Sequence, residues 1–144
     1  MSNSSIEEEI RTAGRLVYSN RGTSMLPLIR EGKDAVVLVR PEGRLRKYDV
    51  PLYKPKPFDG QYVLHRIIRV RGNDYIIRGD NCITKEIGIK DEDIVGVLYS
   101  VLRSGRELKT TDLKYRLYSH VWVWLFPLRY LWRGAKSCVR RIVK

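Results

Sequence analysis

The sequence predicts a mainly β protein built on a bent antiparallel sheet, with a short helix before the sheet and a basic, aromatic helical segment after it. Short apolar runs separated by glycine and proline turns occupy residues 20–106, which is typical of small antiparallel sheets. Apolar residues recur at helical spacing before and after this region. At 144 residues the chain has the length of one domain that can bury a core without metals or disulfides.

The first predicted element is an amphipathic helix within residues 1–19. Ser5 and Glu8 have the spacing of a capping box, and apolar residues follow at helical spacing from Ile6 to Val17. The segment is acidic and unlike a secretory signal. No run in the chain reaches the roughly 18 apolar residues of a spanning helix. We therefore expect a protein that is cytoplasmic or peripheral on a membrane.

The central region is predicted to contain a series of strands. Pro51 would place the second of them at a sheet edge, because proline cannot donate to the hydrogen-bond ladder. A Gly-Asn-Asp turn at residues 72–74 predicts a hairpin between the third and the fourth. The candidate strands are residues 35–39, 47–54, 62–71, 75–78 and 94–102.

The last segment, residues 111–144, differs from the rest in charge and periodicity. The whole chain carries a formal net charge of +12, and only basic charged residues follow Asp112. An apolar, aromatic stretch from Val121 to Leu128 lies in this segment and is interrupted by Pro127. Such a composition suits contact with an anionic membrane surface, with a partner protein, or with the chain's own domain.

Metal and cofactor chemistry is not predicted. The chain has two histidines and two cysteines, Cys82 and Cys138, without the spacing of a zinc site. We therefore expect no metal and no other cofactor. The two cysteines are interpreted as free thiols, with a single disulfide as the alternative.

Three short segments supply the groups that are needed to cleave a peptide bond. They contain Ser24 in a Gly-Thr-Ser-Met-Leu-Pro turn, His65 in a Leu-His-Arg-Ile strand, and Asp80 in an Arg-Gly-Asp-Asn segment. A hydroxyl, an imidazole and a carboxylate can act as nucleophile, general base and orienting acid of acyl transfer. Each residue alone has an ordinary structural explanation, because serine and aspartate form turns and a strand histidine often bonds a nearby carbonyl.

Taken in order, these segments resemble the signal peptidase type of serine proteases. The presence of His-Arg, where bacterial members have lysine, is similar to the form found in the endoplasmic reticulum and in archaea. The resemblance implies a bent, partly open antiparallel barrel, a fold related to that of LexA-like self-cleaving repressors. The matching stretches are the nucleophile box at 24–27 with the strand at 32–37, the base-bearing strand at 62–68, the Gly-Asp-Asn box at 78–81 and the closing strand at 94–98.

The resemblance also implies a role for each residue of the site. Ser24 would attack the scissile carbonyl, and His65 would take its proton, since imidazole titrates near neutral pH. Asp80 is the first choice for the carboxylate that orients the imidazole. Members of the family have a second acidic residue shortly after the Gly-Asp-Asn box, so Glu86 is the alternative and Asp91 the next candidate.

The oxyanion site departs from the family pattern. Many members have a serine two positions before the nucleophile, and this chain has Gly22 there. The resemblance then leaves the backbone N–H of Ser24, helped by the hydroxyl of Thr23, to stabilise the oxyanion. Loss of one donor costs on the order of 10²–10³ in rate, so we expect slow turnover.

The predicted function is a serine endopeptidase that cleaves leader, signal or pro-peptide segments bound in extended form. Residues 20–106 would form the peptidase domain, and residues 113–144 would contact an anionic membrane surface or a partner protein. Nucleic acid is not an expected partner. The alternatives are a self-cleaving regulatory domain of the repressor type and a non-catalytic basic domain that binds a membrane or nucleic acid.

Overall fold

The computed structural model describes residues 3–133, in which helices flank two β-sheets. The helices are α1 (Asn3–Ala13), α2 (Leu113–Trp124) and α3 (Phe126–Arg133). The strands are β1 (Arg15–Tyr18), β2 (Asp34–Val39), β3 (Pro51–Tyr53), β4 (Val63–Leu64), β5 (Arg66–Val70), β6 (Tyr75–Arg78), β7 (Glu86–Ile89), β8 (Ile94–Arg103) and β9 (Arg106–Lys109). One turn of 3-10 helix spans Asp91–Asp93.

The strands of the described chain form a larger and a smaller sheet. The larger sheet has the strand order β1-β2-β8-β3-β4, with β9 paired to β8, and the smaller has the order β5-β6-β7. The strand pairs are antiparallel, which confirms the predicted mainly β, antiparallel class. One apolar core contains Met25, Val36 and Leu98, and a second joins the two sheets through Tyr53 and Ile77.

The strand predicted for residues 62–71 is broken at His65. Strand β4 ends at Leu64 in the larger sheet, and β5 begins at Arg66 in the smaller one. The prediction of one continuous strand was therefore wrong, because the chain changes sheets where the fully buried Arg66 turns inward to pair with Asp80. His65 consequently lies at the junction of the two sheets.

Helix α1 is shorter than predicted. It ends at Ala13, because Gly14 adopts a φ of +79° and donates its N–H to the carbonyl of Ile10. A glycine in this left-handed conformation is a common helix terminator. Val17, which was expected on the helix, lies in β1, so residues 1–19 contain a helix and the first strand.

Pro51 does not place its strand at a sheet edge. Strand β3 lies between β8 and β4, and Pro51 occupies its first position. The edge prediction was wrong because a proline that begins a strand leaves the following ladder donors intact. Strands β7 and β9 were not predicted, and β9 follows the turn at Ser104 and Gly105, so β8 is not the last strand.

Helices α2 and α3 form the predicted C-terminal helical segment. Tyr115 and Ser119 of α2 are buried against the chain's own domain. The two helices are separated at Leu125, and Pro127 lies in the first turn of α3, where its missing N–H breaks no helical hydrogen bond. The rest of the basic segment, residues 134–144, lies outside the described residues.

Candidate active site

Ser24 lies in a tight turn between β1 and β2. Gly22, two positions before it, has a φ of +82°, and Met25 after it is fully buried. The backbone N–H of Asn81 donates to the Ser24 carbonyl at 2.8 Å, and the N–H of Asp80 contacts the sulfur of Met25 at 3.4 Å. Main-chain groups of the Gly-Asp-Asn segment therefore hold the turn in place.

Gly79 brings the candidate nucleophile and base together. A Cβ atom added at Gly79 would lie 2.6 Å from the carbonyl oxygen of Ser24 and 3.0 Å from Cδ2 of His65. The first distance is shorter than packed carbon and oxygen atoms permit, and the contacting atom belongs to the backbone. Only glycine fits at this position, and its missing side chain allows Ser24 and His65 to approach the same point.

A buried tyrosine lies between His65 and a carboxylate. The hydroxyl of Tyr53 is 3.3 Å from Nδ1 of His65 and donates a 2.6 Å hydrogen bond to Glu86. The Glu86 carboxylate is itself 4.0 Å from the same Nδ1 atom. Burial, and then the nearby Glu86 charge, raise the pKa of Tyr53 well above its ordinary value. Tyr53 therefore keeps its proton, and its oxygen can accept a hydrogen bond from His65.

Asp80 is bound by other residues. Nε and Nη2 of Arg66 donate to its carboxylate at 2.7 and 2.9 Å, and the Tyr118 hydroxyl donates at 2.8 Å. Burial lowers the pKa of Arg66, but the charge of Asp80 outweighs it and raises that pKa above its usual value. The structure thus brings Glu86, and not Asp80, next to His65.

Asp91, the third carboxylate considered, lies elsewhere. It accepts a hydrogen bond from the hydroxyl of Tyr75 and forms an ion pair with Arg44 at 3.3 Å.

Sequence reasoning missed Tyr53 altogether. Its place in the apolar Pro-Leu-Tyr run indicates a strand residue, and the pairing of β3 with β4 that brings it to His65 is a long-range property.

The C-terminal helices brace the residues beside the site. Nη1 of Arg66 donates to the Ser119 hydroxyl at 2.7 Å. The indole N–H of Trp122 and Nη1 of Arg129 donate to the backbone carbonyl of Asp80 at 2.8 and 3.0 Å. Arg66 directly follows the candidate base, and Asp80 directly follows Gly79. Helices α2 and α3 therefore fix both neighbours of the site.

The predicted oxyanion donors make no hydrogen bond within the described part of the chain. Neither the backbone N–H of Ser24 nor the hydroxyl of Thr23 makes a hydrogen bond to another residue within 3–133. The Thr23 carbonyl accepts from the Leu26 N–H and from the side-chain amide of Asn81. The Ser24 hydroxyl also has no hydrogen-bond partner in this part of the chain, so it is available to a bound molecule.

A cavity of about 220 Å³ opens beside Ser24. Its wall includes Ile6 of α1, Tyr18 at the end of β1, and residues 63–64 of β4. Strands β1 and β4 are the end strands of the larger sheet, and within the described residues their outer edges have no strand partner. Such edges present unpaired N–H and C=O groups, which can bind an extended peptide as an added strand.

Helix α1 is fixed to this wall by polar contacts. The hydroxyl of Tyr62 donates to Glu7, and Lys54 forms a 2.9 Å ion pair with the same carboxylate. Burial, followed by the hydrogen bond to Glu7, raises the pKa of Tyr62 above its ordinary value. The tyrosine therefore stays a donor, and the helix closes one side of the cavity.

Two further observations bear on the metal and cysteine predictions. No group of three or more His, Cys, Asp or Glu side chains among residues 3–133 could hold a metal ion. Cys82 is disulfide-bonded, and Cys138 lies outside the described residues. The expectation of a free thiol at Cys82 was therefore wrong.

Comparisons with known proteins identified no relative of this chain. No protein-family model matches the chain, and no curated protein or solved structure matches it either. The relation to the signal peptidase type thus remains a prediction that depends on Ser24, His65 and residues 78–81.

Proposed function

We propose that the chain is a serine endopeptidase of the signal peptidase type, with the partly open antiparallel barrel of that family. Ser24 is the nucleophile and His65 the general base. The observation that carries this proposal is the approach of both residues to Gly79, with the Tyr53–Glu86 pair on the far nitrogen of the imidazole. A structural serine and a structural histidine would not require this arrangement.

The hydrogen bonds at His65 select the tautomer that a base needs. Because the Tyr53 hydroxyl donates to Glu86, its oxygen accepts from His65, and the imidazole proton resides on Nδ1. Nε2 is then the nitrogen whose lone pair can take the proton of Ser24. Glu86 stabilises the imidazolium that forms when Nε2 takes a proton, acting through Tyr53 and directly across 4.0 Å.

The proposed reaction has two steps. The hydroxyl oxygen of Ser24 attacks the scissile carbonyl while Nε2 of His65 takes its proton, and the oxyanion binds the N–H of Ser24 and the Thr23 hydroxyl. The imidazolium returns the proton to the leaving amine, which yields an acyl-serine. Water then attacks this ester with His65 again as base, which releases the acid and restores the serine.

The substrate is a peptide in extended conformation. The free edges of β1 and β4 flank the cavity beside Ser24, and a strand placed there would hydrogen-bond to both. The cavity can receive a side chain near the cut, and a folded domain would not fit between the edges. Leader, signal and pro-peptide segments have this extended, accessible form.

The test is the loss of cleavage in two single variants. Ser24→Ala and His65→Ala should each abolish cleavage of unstructured peptides by the purified chain, with unchanged circular dichroism. A small fluorophosphonate should modify Ser24, as mapped by mass spectrometry. His120→Ala is the matched control, because the only other histidine lies on the exposed side of α2, against the Tyr48 ring. Cleavage that survives in either variant would exclude the proposal.

Self-cleavage is the nearest alternative, and it has a distinct outcome. A self-cleaving regulator would place a segment of its own chain in the cavity beside Ser24. Prolonged incubation should leave the mass of the purified protein unchanged if the substrate is a separate peptide. Two fragments that do not form in Ser24→Ala would instead favour the repressor-type alternative.

We further propose that the outer face of α2 and α3 binds an anionic membrane surface. The inner face of α2 holds Arg66, whereas large apolar side chains point away from the protein. Trp124 is 79 % exposed and Trp132 is 90 % exposed, and Leu117, Leu128 and Leu131 are exposed as well. Exposed apolar patches of this kind mark interaction surfaces.

Charge favours a lipid occupant for this face. No acidic residue follows Asp112, and basic residues lie throughout the segment that carries the apolar face. Tryptophan and leucine beside arginine suit the interface of an anionic bilayer. No helix within residues 3–133 is long and apolar enough to cross a membrane. Contact would therefore occur through this face of the described helices.

Vesicle binding tests the membrane proposal. The protein should sediment with phosphatidylglycerol vesicles and not with phosphatidylcholine vesicles. Replacing Trp124 and Leu128 together by serine should weaken this binding by about tenfold or more, since each side chain is worth up to a few kcal/mol when buried. Val70→Ser is the control, since Val70 is an exposed apolar residue on another surface. Vesicle binding that is unchanged by the Trp124 and Leu128 substitutions, or tighter binding to RNA or DNA, would contradict the proposal.

A further inference from the structure

Asn20 is a buried residue whose side chain has no hydrogen-bond partner among residues 3–133. It lies between β1 and the turn of Ser24, and it is 8 % exposed. Its Nδ2 atom is fully buried and makes no hydrogen bond within this part of the chain. Buried amides of this kind are rare, because most buried polar groups are hydrogen-bonded. The amide of Asn20 can therefore form a hydrogen bond with a bound molecule.

The position of Asn20 indicates what its amide binds. Asn20 and Ser24 line the same cavity, together with Tyr18 at the end of β1 and residues 63–64 of β4. A peptide bound between the two sheet edges would run past Asn20. An asparagine amide offers one acceptor and two donors side by side, which match the N–H and C=O of a peptide main chain.

We infer that Asn20 is a substrate-positioning residue that clamps the main chain of the bound peptide beside Ser24. The inference rests on the proposed peptidase function. Its contact is made with the main chain, so it fixes the register of the substrate strand without selecting a side chain. Within the described residues the amide has no partner in the free protein, and its buried Nδ2 must turn towards the cavity to reach the bound peptide.

The test separates binding from chemistry. Asn20→Leu keeps the branched shape and the number of heavy atoms of the side chain and removes its hydrogen bonds. It should raise KM about tenfold for a short unstructured peptide that the wild type cleaves, with kcat within about threefold, consistent with the loss of main-chain hydrogen bonds. The affinity of Ser24→Ala for the same peptide should fall by a similar factor when Asn20→Leu is added. Asn73→Leu, in the exposed hairpin turn, is the control.

Stability and labelling complete the test. The melting temperature of Asn20→Leu should equal or exceed that of the wild type, because an unpartnered amide is removed. An unchanged KM, or a fall in kcat alone, would overturn the inference, and the latter would place the amide at the oxyanion. Failure of a small fluorophosphonate to label Ser24 in the wild type would remove the proposed function, and this inference with it. Normal labelling with an unchanged KM would overturn only the inference.

Discussion

Tyr53 stands between His65 and Glu86, so the candidate base contacts its carboxylate chiefly through a phenol. The hydroxyl donates to Glu86 at 2.6 Å and lies 3.3 Å from Nδ1 of His65. Burial keeps Tyr53 protonated by raising its pKa. A phenol in this place orients the imidazole as a carboxylate would, while the negative charge remains on a side chain at the protein surface.

Removal of the Tyr53 hydroxyl should slow the chemical step. Tyr53→Phe retains the ring but no longer orients His65, so kcat should fall about 10- to 100-fold while KM changes little. Combining it with Glu86→Gln should add little, because both substitutions interrupt one chain of hydrogen bonds. Steady-state peptide cleavage measures both effects. Tyr130→Phe, at an exposed position, is the control, and full activity of Tyr53→Phe would exclude the proposed relay.

A single methyl group at Gly79 should disrupt the site. Gly79→Ala places a Cβ atom 2.6 Å from the Ser24 carbonyl, so either the turn of Ser24 or the ring of His65 must move. We expect cleavage to fall below one hundredth of the wild-type rate, about the cost of a misplaced reacting group. Gly72→Ala is the matched control, because nothing lies within 4 Å of its added Cβ. Equal activity of the two variants would contradict the proposed role of Gly79.

Asp80 and Glu86 should differ in what their substitution damages. Asp80→Asn leaves the fully buried Arg66 without its counter-charge, which we expect to cost about 3–5 kcal/mol in the free energy of unfolding. Glu86→Gln should alter activity far more than stability. Urea denaturation measures the first effect and peptide cleavage the second.

A milder variant keeps the Asp80 prediction testable if Asp80→Asn does not fold. Tyr118→Phe removes one hydrogen bond to the Asp80 carboxylate and should cost about 1–2 kcal/mol. Glu8→Gln, in an exposed ion pair on α1, should leave the unfolding midpoint unchanged. A greater loss of stability in Glu86→Gln than in Asp80→Asn would reverse the assignment.

Stability should fall in acid partly because of Asp34. Burial alone would raise the pKa of this carboxyl, but hydrogen bonds from Arg30 and Arg103 outweigh it and hold that pKa well below its usual range. The folded state therefore binds this proton less readily than the unfolded state. The stabilisation is complete above the unfolded pKa, near 4, and declines as the pH falls towards the folded pKa.

Urea denaturation between neutral pH and pH 3 tests this dependence. Asp34→Asn should be less stable than the wild type near pH 7, and the difference should shrink below about pH 4. Glu31→Gln, at the exposed neighbouring turn, should follow the wild-type curve. A difference that grows in acid would contradict the assignment.

The local features of the site could be predicted from the sequence, and its long-range contacts could not. The Ser24 turn, the His65 segment and the hairpin before Arg78 each depend on neighbouring residues, and their existence follows from short motifs. The choice between Asp80 and Glu86 depends on Arg66, which binds Asp80 because the chain changes sheets at His65. Apolar periodicity contains no signal for that break.

Tyr53 and Asn20 likewise could not be identified as site residues from the sequence. Both are ordinary in sequence, one in a short strand and one in a turn. The role proposed for Tyr53 depends on the pairing of β3 with β4, and the role proposed for Asn20 depends on the absence of a hydrogen bond to its Nδ2 atom within residues 3–133. Neither property exists until distant segments pack together.

The bracing of Arg66 by α2 has a consequence for the order of events during synthesis. Ser24, His65 and Glu86 all leave the ribosome well before Ser119, which accepts a hydrogen bond from the buried Arg66. Until α2 emerges, the guanidinium beside the base lacks this partner, and burying it is costly. We therefore expect the growing chain to acquire peptide-cleaving ability only after its sheet is complete and its helix has docked.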